Sequence, residues 1–161
     1  MSDEHLRVLE RRFAETGDLR DEIAWIGASI KTGEAKPGIP GLDLHDSVID
    51  YAAFDAEQQR LTFGIDLCAW RQLGYSQPDP ELVAGSLVFA GVTDLQLDSP
   101  EGEVLSREWW AARGGSFLQA DQTASGYRLI FEVAREDNPE ALFCMVDLSF
   151  SISYFAAERG L

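Results

Sequence analysis

Leu142-Phe143-Cys144-Met145-Val146-Asp147-Leu148-Ser149-Phe150-Ser151-Ile152-Ser153-Tyr154-Phe155 is the stretch on which the fold reading turns. Leu142, Cys144, Val146, Leu148, Phe150, Ile152 and Tyr154 alternate in it with Phe143, Met145, Asp147, Ser149, Ser151, Ser153 and Phe155. A period of two marks an extended strand with one face in a core and the other toward water or a partner. Fourteen such residues are long for one strand, so a bend or bulge is expected near the middle.

The same alternation recurs upstream. Tyr127, Leu129, Phe131 and Val133 alternate with Arg128, Ile130, Glu132 and Ala134. Leu61, Phe63, Ile65 and Leu67 alternate with Thr62, Gly64, Asp66 and Cys68. Another strand is expected over 82–97, broken near Gly91. Polar segments at 55–59 and 135–140 suit the turns between neighbouring antiparallel strands. Residues 74–81, with Pro78 and Pro80, read as a surface loop. The pattern over 98–126 is irregular, with a short helix expected around 103–113, a Gly114-Gly115 break, and Gln119 and Gln122 in solvated loop.

The first third of the chain keeps a different period. Leu6, Leu9 and Phe13, widened by Val8, fall on one helical face, and Leu19, Ile23, Ile26 and Ile30 form a second seam. Thr16-Gly17-Asp18 ends one helix and caps the next, and Lys31 and Gly33 close the second. Asp21 and Glu22 fall in the first turn, where the helix dipole favours acid. Residues 34–41 hold one Lys, two Pro and two Gly, and continued helix or strand is not expected there. The reading is therefore α+β. A helical hairpin (1–33) and a Gly/Pro-rich joint (34–41) precede an antiparallel β domain (42–161), a sandwich or half-barrel.

With 161 residues the chain can bury about 68–70% of its unfolded surface, so it needs no disulfide or metal to fold. Cys68 and Cys144 lie in apolar segments and read as buried free thiols. No apolar run approaches the roughly 18 residues of a membrane span, and Met1-Ser2-Asp3-Glu4-His5 opens nothing like a signal peptide. A cytoplasmic protein is expected.

Charge is the unusual bulk property: 13 Lys+Arg against 28 Asp+Glu, a formal −15. Residues 1–33 carry seven acids and five bases, so the excess, −13, belongs to the rest of the chain. No base occurs between Arg71 and Arg107, whereas Asp79, Glu81, Asp94, Asp98, Glu101 and Glu103 supply six acids. That balance argues against nucleic acid and anionic lipid as partners. It fits a surface that either keeps the chain in solution or steers a basic protein toward it. Trp109 and Trp110 read equally as interface anchors or as core.

The constellations of common catalysis are missing. There is no Gly-rich phosphate loop and no Gly-x-Ser-x-Gly elbow, and two histidines cannot build a His-Glu-x-x-His zinc site. No metal or nucleotide cofactor is expected. One polar cluster, Asp43, His45, Asp46, Ser47 and Asp50, opens the β domain. It suits either a hydrogen-bonded strand entry or an acid–base pair or metal site. Asp66 and Asp147 sit on the non-core faces of apolar strands, and would meet if those strands were neighbours. Two functions follow. One is a non-catalytic acidic binding protein; the other is a small enzyme or ligand- or metal-binding protein with a pocket near His45, Asp46 and Asp66.

Two resemblances accompany these residues. Residues 6–35, with Leu6-Arg7-Val8-Leu9-Glu10-Arg11-Arg12-Phe13-Ala14-Glu15-Thr16-Gly17-Asp18 and Asp21-Glu22-Ile23-Ala24-Trp25, resemble the helical hairpin called a repeat-companion domain. Residues 42–155, with Leu44-His45-Asp46-Ser47-Val48-Ile49 and Leu87-Val88-Phe89-Ala90-Gly91-Val92, are similar to β-rich immunity proteins of bacterial polymorphic toxin systems. The likeness implies a toxin-neutralising binding protein, and it carries over no catalytic residue.

Overall fold

The computed structural model describes residues 3–135 and 140–158. Two helices, α1 (Asp3–Thr16) and α2 (Leu19–Thr32), precede nine strands: β1 (Ala35–Pro37), β2 (Val48–Asp55), β3 (Arg60–Cys68), β4 (Leu82–Ala90), β5 (Thr93–Asp98), β6 (Gly115–Gln122), β7 (Tyr127–Val133), β8 (Leu142–Ser149) and β9 (Ile152–Ala157). Every pairing is antiparallel, in the order β1-β9-β4-β3-β2-β6-β7-β8-β5. The chain is α+β, with a helical hairpin on an antiparallel sheet. Among the described residues no helix is long and apolar enough to cross a membrane.

Two corners fold the sheet over. β8 and β9 are the two legs of the long alternating stretch, parted at Phe150-Ser151 where a bend was expected. β4 and β5 are likewise parted at Gly91-Val92. The ladder between these legs continues past the bend, with Ala90 opposite Ile152 on one side and Thr93 opposite Ser149 on the other. Gly91 (φ 67°) makes the corner possible, since a Cβ there would run into the Ser151 side chain. Folding over brings the two halves face to face around one core. Phe63 meets Phe117 and Phe131 edge-on, with centroids 5.0 and 5.8 Å apart. Leu61, Phe63, Ile65, Leu67, Leu129, Phe131, Leu142, Val146 and Leu148 are all buried as the alternation requires, and Phe150 is half-buried at the corner.

The bend also changes which residues face inward. Beyond Ser151 it is Phe155 that enters the main core, whereas Tyr154 joins a second, small cluster with Ile26 and Val88 beneath the helices. A strict period of two through position 150 puts Phe155 outside, and the corner overturns that. Both faces of this part of the sheet are covered.

The hairpin is built largely as its caps dictate. Asp18 accepts from Arg20 N, and Gly33 (φ 82°) closes α2. Its buried face is rotated from the expected seam, however. Ile23 is exposed, whereas Glu22, read as a first-turn acid, is 1% exposed. The Glu22 carboxylate receives Arg60 Nη2 at 2.5 Å and the Tyr154 hydroxyl at 2.6 Å. Arg60 also lies 5.3 Å over the Phe13 ring. A buried charge has to be paired, and this pairing turns α2 toward the sheet.

Three further expectations are corrected. The joint contributes the edge strand β1, paired with β9; Pro37 is tolerated because an edge strand does not need every N–H. Residues 115–122, read as irregular, form β6. A register shift between Phe117 and Gln119 interrupts its alternation, so only Phe117 is fully buried, and Gln119 and Gln122 are strand residues. The helix expected around 103–113 shrinks to a single 3-10 turn, Arg107–Trp110. The turn expected at 135–140 lies largely outside the described residues.

Candidate interaction surface

The polar cluster at the strand entry is a set of mutual hydrogen bonds. Asp43 Oδ1 accepts from His45 N at 3.0 Å, and His45 Nδ1 donates to Leu118 O at 2.7 Å. Asp46 adopts a left-handed backbone (φ 66°), and its Oδ2 receives Arg71 Nε at 3.1 Å and Nη2 at 2.9 Å. The fully buried Ser47 Oγ accepts from Cys68 N at 2.9 Å. Gln72 finishes the clasp: its amide donates to Asp43 O and Cys68 O and accepts from Asp43 N. His45 Nε2 is left 3.6 Å from Asp46 Oδ1, a carboxylate already held by Arg71. These side chains tie the entry to β2 against the turn after β3.

Asp66 and Asp147 do not meet. β3 lies between β2 and β4, and β8 lies between β7 and β5. Asp147 faces Arg128 across the ladder, with Nε–Oδ1 at 2.7 Å and Nη2–Oδ2 at 3.0 Å, and this bidentate pair holds its carboxyl below the usual range. Asp66, opposite Val48 and Ala84, instead joins an acidic row with Asp50 and Glu158. Partial burial, then the charges of Asp66 and Glu158, push the Asp50 carboxyl up. Asp50 and Glu158 enter through register, which the sequence does not reveal. The groove beside His45, lined by Leu42, Leu44, Leu118 and Gln119, does not reach Asp66. Among the described residues no three His, Cys, Asp or Glu side chains converge to hold a metal ion. Cys68 and Cys144 are free and buried, and burial raises both thiols, the opposite of what a nucleophile requires.

Four of the six acids fall into two groups. Asp79 and Glu81 stand just before β4, whereas Asp94 and Asp98 lie on the edge strand β5 beyond the corner. The nine residues of β4 put about 30 Å between those ends. Glu101 is occupied, accepting from Trp109 Nε1 at 2.7 Å, while Glu103 is exposed. Trp110 is 2% exposed and packs in the core against Phe131, so it is no surface anchor. Trp109 is half-buried between Glu101 and the Arg113 guanidinium, which lies 4.1 Å over its ring.

The domain's bases are largely spent on internal contacts. Arg60, Arg71 and Arg128 are in ion pairs, and Arg107 and Arg113 lie over Tyr51 and Trp109. Asp79, Glu81, Asp94 and Glu103 are exposed and make no ion pair among the described residues.

One feature of this surface gave no signal in the sequence. Between the turn after β3 and the start of β4 lies a cleft of about 250 Å³, lined mainly by Leu67, Ala69, Leu73, Tyr75, Pro80 and Val83, with Lys36 and Asp79 at its polar margin. Its walls are tied together. Ala69 N donates to Glu81 O, Asp79 N to Ser76 O, and the Tyr75 hydroxyl to Asp79 O at 3.0 Å. Leu73 stands fully in solvent on its lip, at 101% exposure, with Trp70 (49%) and Leu82 (52%) on the flanking segments.

Compared with protein-family models, with curated proteins and with solved structures, the chain matches none.

Proposed function

We propose that this chain is a non-catalytic binding protein whose acidic β domain receives a basic protein. The observation that carries the proposal is the asymmetry of its charges. Arg60, Arg71, Arg107, Arg113 and Arg128 are engaged by internal carboxylates and rings, and the acids at Asp79, Glu81, Asp94 and Glu103 keep their field in solvent. Uncompensated charge of one sign speeds encounter with the opposite sign and repels nucleic acid and anionic membranes. The clasp around His45 supports the same reading, because its polar groups are used on one another rather than held ready for a substrate. The likeness of the 44–49 and 87–92 segments to polymorphic-toxin immunity proteins narrows it to a cytoplasmic, toxin-neutralising protein.

Co-expression tests the narrower form. The reading frame adjacent to this one is expressed alone and together with this chain. Toxicity alone and growth in combination, with a stable complex on size exclusion, is the expected outcome. A harmless neighbour, or toxicity that this chain leaves untouched, rejects the immunity role.

A further inference from the structure

We infer that the cleft beneath Leu73 seats one apolar side chain of the basic partner, with a neighbouring lysine or arginine of that partner facing Asp79 and Glu81. The inference rests on the binding-protein reading and names the contact that reading leaves open.

Size decides what the cleft can hold. Small-molecule sites run from about 300 to 1,000 Å³, and at about 250 Å³ this one is better matched to a single Leu- or Phe-sized knob than to a cofactor. Its construction agrees. The walls are pre-tied by the Ala69–Glu81 and Tyr75–Asp79 hydrogen bonds and by the Gln72 clasp, so little ordering remains for binding to supply. Water-exposed Leu73, Trp70 and Leu82 beside an apolar depression are the arrangement of an anchor pocket with its surrounding seal.

Charge selects the occupant. A second copy of this chain would bring another −15 to a lip already bearing Asp79 and Glu81, and like charge opposes that dimer. Lys36 is the one cation among the lining residues, on the edge strand β1. A partner segment with an apolar residue flanked by bases fits this margin, with the bases on the Asp79–Glu81 side.

The probe is a blocked pentapeptide, Lys-Ser-Phe-Ser-Lys, titrated into the ¹⁵N-labelled protein. Saturable shifts are expected at the amides of Leu73, Gly74, Tyr75 and Val83 and at the Trp70 indole. Replacing the peptide's Phe by Ser, its two Lys by Glu, or Leu73 by Ser in the protein should each weaken binding about fivefold or more, as truncating an interface anchor does. Leu73→Ser is fully exposed and leaves the fold intact. Absence of saturable shifts at the cleft, or shifts indifferent to the loss of the Phe ring, overturns the assignment. The parent reading is tested separately. A protein partner slowed by reversal of Asp94 and Asp98 but indifferent to Leu73→Ser keeps the acidic-binder reading and removes the cleft from it.

Discussion

Glu22→Ala is the substitution that interrogates how the helical hairpin is held. It removes a carboxylate that is 1% exposed, leaving the Arg60 guanidinium without its counter-charge and the Tyr154 hydroxyl without its acceptor. Breaking a buried pair from one side costs about 3–5 kcal/mol. Arg60 retains 22% exposure, so water partly compensates it, and the lower end, about 3 kcal/mol, is expected. In a chain of this size that is a fall in melting temperature of roughly 6–12 °C. Tyr154→Phe removes one hydrogen bond to the same carboxylate and should cost about 1–3 kcal/mol. Because both substitutions act on one network, the double variant should lose less than the two single losses combined, with a coupling of about 1 kcal/mol. Urea unfolding followed by tryptophan fluorescence, checked by thermal melts, supplies all four corners of the cycle. A Glu22→Ala variant within about 0.5 kcal/mol of the parent, the range of ordinary surface changes, would refute the lock, as would strict additivity.

Three further outcomes can be checked with the same equipment. Leu148→Asp puts an unpaired carboxylate into the core beside β7 and should cost several kcal/mol or prevent folding, read by urea denaturation. Gly91→Ala forces a side chain into a left-handed corner already filled by Ser151 and should cost about 1–3 kcal/mol in the same experiment. Asp50 has its carboxyl raised, so its ionised form is disfavoured in the folded state and destabilises it above the unfolded-chain value of about 3.9. Asp50→Asn should therefore raise the melting temperature at neutral pH and leave it unchanged well below that value, where both side chains are neutral.

Alternation carried most of the fold. The inward sets Leu61–Leu67, Leu129–Phe131 and Leu142–Leu148 are legible because a half-buried strand must repeat every second residue. What alternation cannot register is a change of covering. Tyr154 and Phe155 are both buried because the hairpin covers the outer face of β9, a fact of tertiary packing. The same covering explains Glu22, whose acid character reads as helix-dipole chemistry until Arg60 and Tyr154 are placed beside it. β6 was missed because its bulge puts Leu118 out of phase, and β1 because Pro37 argues against strands everywhere except at an edge. At the surface, the negative charge was legible from composition, but its division into the Asp79–Glu81 and Asp94–Asp98 groups depends on where β4 runs. The cleft under Leu73 gave no signal, since Leu67, Leu73, Tyr75 and Val83 share no period and are gathered only by the turn that Gln72 fastens.

The most direct measurement is the association rate constant of this protein with its purified basic partner as salt rises from about 10 to about 150 mM, which shortens the screening length from about 30 to about 8 Å. An acidic surface that steers its partner predicts a fall of about tenfold or more across that range. Asp79→Lys, Glu81→Lys, Asp94→Lys and Asp98→Lys together should start slower at low salt and lose most of the dependence. A rate that stays flat with salt in the parent protein, or that the four reversals leave unchanged, contradicts the account.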